Sequence, residues 1–130
     1  MKKKHIILAL FSAIFLFSCD EVNEAKQVVD DFYKCRQEQN YDKVVSYLSD
    51  IIFEISTEEE IIADLKKVDE EMGNINSFKS TSFEIKTNNG ITTAIFTYKV
   101  VYDKGVMTDN IELQKEGDTY KIYYYYWTKN

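Results

Sequence analysis

Near Gly73 the spacing of apolar residues changes, and this change constrains the fold of the 130-residue chain more than any other feature. Before it, apolar residues recur at helical spacing; from Ser77 onward they alternate with polar ones. Three turn signals cut the alternating half: Asn88-Asn89-Gly90, Asp103-Lys104-Gly105 and Glu116-Gly117-Asp118. Three short turns between four strands predict an antiparallel meander. On the first strand Phe83 and Ile85 face one way, and Ser82, Glu84 and Lys86 the other. Ile91 to Tyr102 forms a long second strand, apolar on parts of both faces. On the third, Met107, Asp109, Ile111 and Leu113 share a face opposite Thr108, Asn110 and Glu112. The last strand runs from Thr119 to Trp127.

The helical half divides into three. From Val22 to about Gln39, Ala25, Val28, Val29, Phe32 and Tyr33 fall on one face, with Arg36 in the middle of that face and Cys35 at its edge. Asn40 breaks the run. A shorter helix follows from Tyr41 to about Ser49, with Val44, Val45, Tyr47 and Leu48 as its apolar positions. The β-branched patch Ile51–Ile55 predicts a short strand. Thr57 and Glu60 make a capping pair for a third helix, which carries Ile61, Ile62, Leu65, Val68 and Met72 and ends at Gly73. Its acids, Glu58, Glu59, Glu60, Asp69, Glu70 and Glu71, read as capping and solvated-face residues rather than a metal cluster.

The first residues give an address. Lys2, Lys3 and Lys4 precede an apolar run from Ile6 to Phe17. A spanning helix needs about 20 apolar residues, so a cleaved signal is the better reading. Leu16-Phe17-Ser18-Cys19 resembles a bacterial lipoprotein lipobox, although Phe17 is bulkier than the usual occupant. The resemblance implies diacylation of the Cys19 thiol and cleavage before it. This divides the chain into a signal at 1–18, a lipidated Cys19 with a short polar tether at 19–24, and one domain at 25–130. The expected location is the cell envelope, on the non-cytoplasmic side of a membrane. The acids Asp20 and Glu21 resemble surface-export signals in some lipoproteins and a retention signal in others, and the two readings conflict.

Charge and composition then exclude classes of function. The signal holds three of the 16 lysines and arginines and none of the 22 acids, which leaves a net charge of −9 beyond it. An acidic chain is a poor nucleic-acid binder, because affinity there comes from basic contacts to phosphate. His5 lies in the signal, so the remainder has no histidine. Triads built on histidine are excluded and zinc sites disfavoured. Neither a cofactor nor a metal is expected. Beyond Cys19 there is one cysteine, Cys35, so no intrachain disulfide holds the domain and Cys35 reads as a small buried hydrophobe.

Three helices followed by a curved four-stranded meander resemble the nuclear transport factor 2-like superfamily, a cone-shaped, cystatin-like α+β fold. The likeness rests on the order of elements and on Asn40-Tyr41-Asp42-Lys43-Val44-Val45, Met72-Gly73-Asn74-Ile75, Lys99–Gly105 and Asp118–Ile122. It is closest to small secreted or lipid-anchored members without assigned function. The resemblance implies a cavity at the open end of the cone, used by some relatives for isomerase or dehydratase chemistry and by others only for binding. It also implies that the outer sheet face can pair two copies.

Two charges fall where the pattern predicts core, Arg36 and Asp109. If both enter the cone, they form an ion pair, or Arg36 holds an anionic ligand while Asp109 acts as a base. The pattern favours a blander reading, with Arg36 snorkelling at a helix end and Asp109 at an exposed strand position. Strict alternation places Tyr98, Tyr124 and Tyr126 on one face and Tyr123, Tyr125 and Trp127 on the other. Arg36, Tyr98, Asp109 and Tyr124 are therefore candidate pocket residues, and Tyr123, Tyr125 and Trp127 a candidate interface. The leading expectation is a non-catalytic lipoprotein that binds a small ligand or an envelope protein. The alternatives are an envelope inhibitor or immunity-type protein, and an acid–base enzyme using Asp109 with a tyrosine donor.

Overall fold

The computed structural model describes residues 20–130 with their side chains; the basic start, the apolar run and Cys19 lie outside the described residues. The elements are α1 (Lys2–Gln37), α2 (Tyr41–Val45), a 3₁₀ turn (Ile52–Glu54), α3 (Glu58–Met72), β1 (Ile75–Asn88), β2 (Ile91–Tyr102), β3 (Gly105–Glu116) and β4 (Thr119–Lys129). The strands form one antiparallel sheet in the order β1-β2-β3-β4. The α+β meander is the expected one. Among the described residues no helix is long and apolar enough to cross a membrane.

Helical periodicity decides how α1 packs. Ala25, Val29, Phe32, Tyr33 and Arg36 recur on one face, and all five are buried against the sheet. The opposing sheet face is built from Phe96, Tyr98, Val100, Met107, Ile111, Leu113 and Ile122, none more than 2% exposed. Asp20–Glu24, expected as a tether, lies within α1. Glu21 is buried there: Lys115 Nζ donates to Oε1 at 2.6 Å and the Tyr120 hydroxyl donates to Oε2.

Two expectations in the first half are corrected. α2 stops at Val45, where the Ser46 N–H closes on Lys43, and the chain continues into Tyr47–Ser49 beside β4. There Ile122 N–H donates to Tyr47 and Ser49 N–H donates to Ile122, a parallel bridge around Leu48. The bridge ends at Ser49, and beyond it Ile52–Glu54 satisfies its amides locally as a 3₁₀ turn rather than pairing with a strand. α3 begins as its sequence dictates, with Glu60 N–H donating to Thr57 Oγ1. Gly73 ends it at φ +84°, where a Cβ would stand 2.7 Å from the Asp103 side chain.

The detail that places the site is a bulge in β4. Glu112 pairs with Tyr124, but the next residue, Leu113, pairs with Ile122, leaving Tyr123 extra. Before the bulge Tyr120 and Ile122 point into the core. After it the inward positions become Tyr125 and Trp127, directly opposite the inward Ile111 and Asp109.

Candidate functional site

Arg36 and Asp109 are both inside, at 2% and 0% exposure, so neither the snorkelling arginine nor the exposed aspartate is found. Nor do they form a direct ion pair. Arg36 Nη2 donates to Asp69 Oδ1 at 2.8 Å and to the Tyr102 hydroxyl at 3.1 Å, and Nη1 donates to the Tyr125 hydroxyl at 2.9 Å. The Tyr125 hydroxyl in turn donates to Asp109 Oδ2 at 2.6 Å, and the Tyr33 hydroxyl donates to the same oxygen at 2.6 Å. Tyr41 donates to the second oxygen of Asp69 at 2.6 Å. Two carboxylates thus flank one guanidinium, and Tyr125 connects it to Asp109. Asp109 Oδ1 and Arg36 Nε have no hydrogen-bond partner among the described residues.

Burial raises the Asp109 carboxyl above its ordinary value of 3.8, against the pull of Tyr125, Tyr33 and Arg36 toward the charged form. Burial also raises the Tyr33 and Tyr125 hydroxyls well above the usual phenol range. Burial works against the Arg36 charge, but the tyrosine oxygens and Asp69 around it outweigh that cost and hold it protonated. The network therefore closes on two carboxylates, with the Tyr125 and Tyr102 hydroxyls also accepting from Arg36, and its tyrosines remain neutral.

In front of it lies a cleft of about 260 Å³. It is lined by Phe32 of α1, Ile61 and Leu65 of α3, Leu48, Ile52 and Ile55 of the segment between α2 and α3, and Tyr125 and Trp127 of β4. Phe32, Tyr125 and Trp127 make a continuous angled wall. Phe32 and Tyr125 ring centroids are 5.4 Å apart with planes at 72°, and Tyr125 and Trp127 are 5.3 Å apart at 47°. Tyr123, Tyr124, Ser56 and Asp64 complete the lining. Tyr125 therefore belongs to both parts, with its ring on the cleft and its hydroxyl in the network.

The candidate residues are accordingly redistributed. Arg36 and Asp109 come together through Tyr125, but neither lines the cleft. Tyr98 is a buried strut whose hydroxyl donates to Asp30 of α1 at 2.8 Å. Tyr124, expected inside, is 48% exposed and packs on Tyr126 on the outer face, though it also contributes to the cleft lining. Tyr125 and Trp127, expected on an outer interface, point inward because the bulge shifts their parity. Tyr123 donates to Glu112 at 3.0 Å. Sequence reasoning missed Tyr33, Tyr41, Asp69 and Tyr102. Asp69 was grouped with the solvated acids of α3, yet it stands four residues after the buried Leu65 and so shares its face.

No family model matches the chain, and no curated protein matches it. Solved structures do. A structure of Bd1075 from Bdellovibrio bacteriovorus superposes with a TM-score of 0.60 at 17% identity over 83% of this chain, which spans 40% of that one. An NTF2-like family protein from Streptomyces avermitilis, described as a candidate dehydratase, gives 0.59 at 9% identity, covering 87% of this chain and 98% of that one. An NTF2-like protein of unknown function from Pseudomonas putida KT2440 gives 0.59 at 11% identity, covering 85% and 87%. The chain has the nuclear transport factor 2-like fold.

Proposed function

We propose that this protein is an envelope lipoprotein, anchored through lipid on Cys19, whose cleft binds a small molecule without transforming it. The observation that carries the reading is the separation of cleft and carboxylate. A general base must come within hydrogen-bond reach of the proton it takes. Asp109 is fully buried, with one oxygen closed by two tyrosine hydroxyls, and the Tyr125 ring stands on the cleft wall. What a ligand meets is an aromatic and aliphatic surface with few polar groups, the usual lining of a binding pocket. The apolar run and the Ser18-Cys19 step support the anchor.

One observation favours an acid–base enzyme instead. Asp109 is a buried carboxyl with a raised pKa beside tyrosine hydroxyls, the environment such chemistry uses. Native mass spectrometry of the full chain, taken from its own envelope, separates the two. Under the binding reading, wild type and Asp109→Asn retain the same small-molecule mass. A different mass accumulating only in Asp109→Asn identifies an uncleared substrate and favours the enzyme. A protein mass in place of a small molecule favours an envelope partner or a second copy on the outer face of Tyr124 and Tyr126. The anchor is checked separately, by metabolic labelling with a clickable palmitate analogue that Cys19→Ser should abolish.

A further inference from the structure

We infer that the cleft selects an organic cation, a compact ammonium group on a small apolar body. The inference rests on the binding reading above and names the class of ligand.

Three features of the lining carry it. First, the rings of Tyr125 and Trp127 stand on the cleft at 47° with centroids 5.3 Å apart, backed by the buried Phe32 ring 5.4 Å from Tyr125. Ring faces attract cations through their quadrupole, and more strongly where water is excluded. Angled rings can offer faces to one ammonium from several directions. Second, the charged residue lining the cleft is Asp64, exposed on α3, and neither lysine nor arginine lines it. An ammonium seated against the rings would find a carboxylate at the rim, whereas an anion would be repelled by it. Third, Arg36 lies behind the wall, with its Cζ 5.9 Å from the Phe32 ring, but its charge is countered by Asp69 at 2.8 Å. It is neither available to hold an anion nor left uncompensated to repel a cation. The net charge of −9 beyond the signal adds a long-range field of the same sign.

The cleft volume of about 260 Å³ lies just below the usual range of ligand sites, about 300–1,000 Å³, and so suits a small ligand. The test uses two probes of nearly one shape: acetylcholine, and 3,3-dimethylbutyl acetate, in which carbon replaces the charged nitrogen. Trp127 is the single tryptophan of the chain and lines the cleft, so its emission reports both titrations. The full-length protein is titrated in detergent, with protein-free micelles as the blank. The expected result is that acetylcholine binds about five- to thirtyfold more tightly than its neutral isostere. Asp64→Asn, a substitution at an exposed position, should narrow that ratio, as should raised salt. Equal or tighter binding of the neutral isostere overturns the inference and leaves the binding reading standing. So does failure of both probes when a small molecule still co-purifies. Failure of both probes with no co-purified small molecule overturns the binding reading itself.

Discussion

Tyr125 is the residue on which the interior turns, because one hydroxyl accepts from Arg36 and donates to Asp109. Phenylalanine keeps the ring on the cleft wall but leaves Arg36 Nη1 without its acceptor in a dry place, while Asp109 Oδ2 keeps the Tyr33 hydroxyl. Buried groups left unsatisfied cost about 1–3 kcal/mol each, so Tyr125→Phe should lower the unfolding free energy by about that much. Urea unfolding with an unchanged m-value would show it; an effect below about 0.5 kcal/mol would mean that the network contributes little. Asp109 gives a pH signature. Burial raises its folded pKa above 3.8, so above that pH the folded protein retains a proton that the unfolded chain has released. Stability from this group is therefore present in acid and lost as pH rises through the folded pKa. Measured against Asp109→Asn at each pH, the stability of the wild type should fall across that window and then level off. Other titrating groups, including Glu21, whose carboxyl is lowered by its hydrogen bonds from Lys115 and Tyr120, are common to both proteins and cancel in the difference. A relative stability that rises with pH would contradict the assignment.

At the scale of elements, much of the architecture was legible because each boundary has a local cause. Thr57 caps α3, Gly73 ends it in a conformation that disfavours a side chain, and three turns separate four alternating strands. Where the reading failed, residue preference alone did not decide. Ile51–Ile55 has strand-forming residues, but it follows the Leu48–Ile122 bridge and closes its amides locally as a 3₁₀ turn. The bulge was illegible for a different reason. Its extra residue is one of four consecutive tyrosines, Tyr123–Tyr126, with no glycine to mark it, and one unseen residue reverses every side chain beyond it. This makes a sharp prediction. Deleting any one of the four tyrosines gives the same sequence and restores an unbroken ladder in which Trp127 still faces inward. Deleting two reverses the parity and drives Trp127 outward. The single deletion should therefore keep the blue-shifted emission of a partly buried tryptophan and a cooperative thermal transition, whereas the double deletion should lose both. If one deletion alone exposes Trp127, the bulge does not set the register.

For the whole molecule, the account is a cone with two compartments: a closed polar network and, in front of it, an open aromatic cleft. Sequence pattern picked out Arg36 and Asp109 as charges misplaced in a core, two of the seven residues of the network. It did not show that Tyr33, Tyr41, Tyr102 and Asp69 would complete the network, because these come from three helices and one strand brought together only by the fold. The cleft itself was readable only as an expectation of the fold, since it forms where the Ile52–Glu54 turn and α3 leave β4 uncovered. The central claim is that this cleft holds a ligand, and one substitution addresses it directly. Ile61 is half-buried on the cleft wall and makes no hydrogen bond in the network, so Ile61→Trp would fill space there while removing none of the network's polar groups. Native mass spectrometry of the wild type and Ile61→Trp, each purified from its own envelope, should show a small-molecule mass on the first and its loss or marked depletion on the second, with both folded. Equal retention by the two, or no retained small molecule on the wild type, would contradict the account.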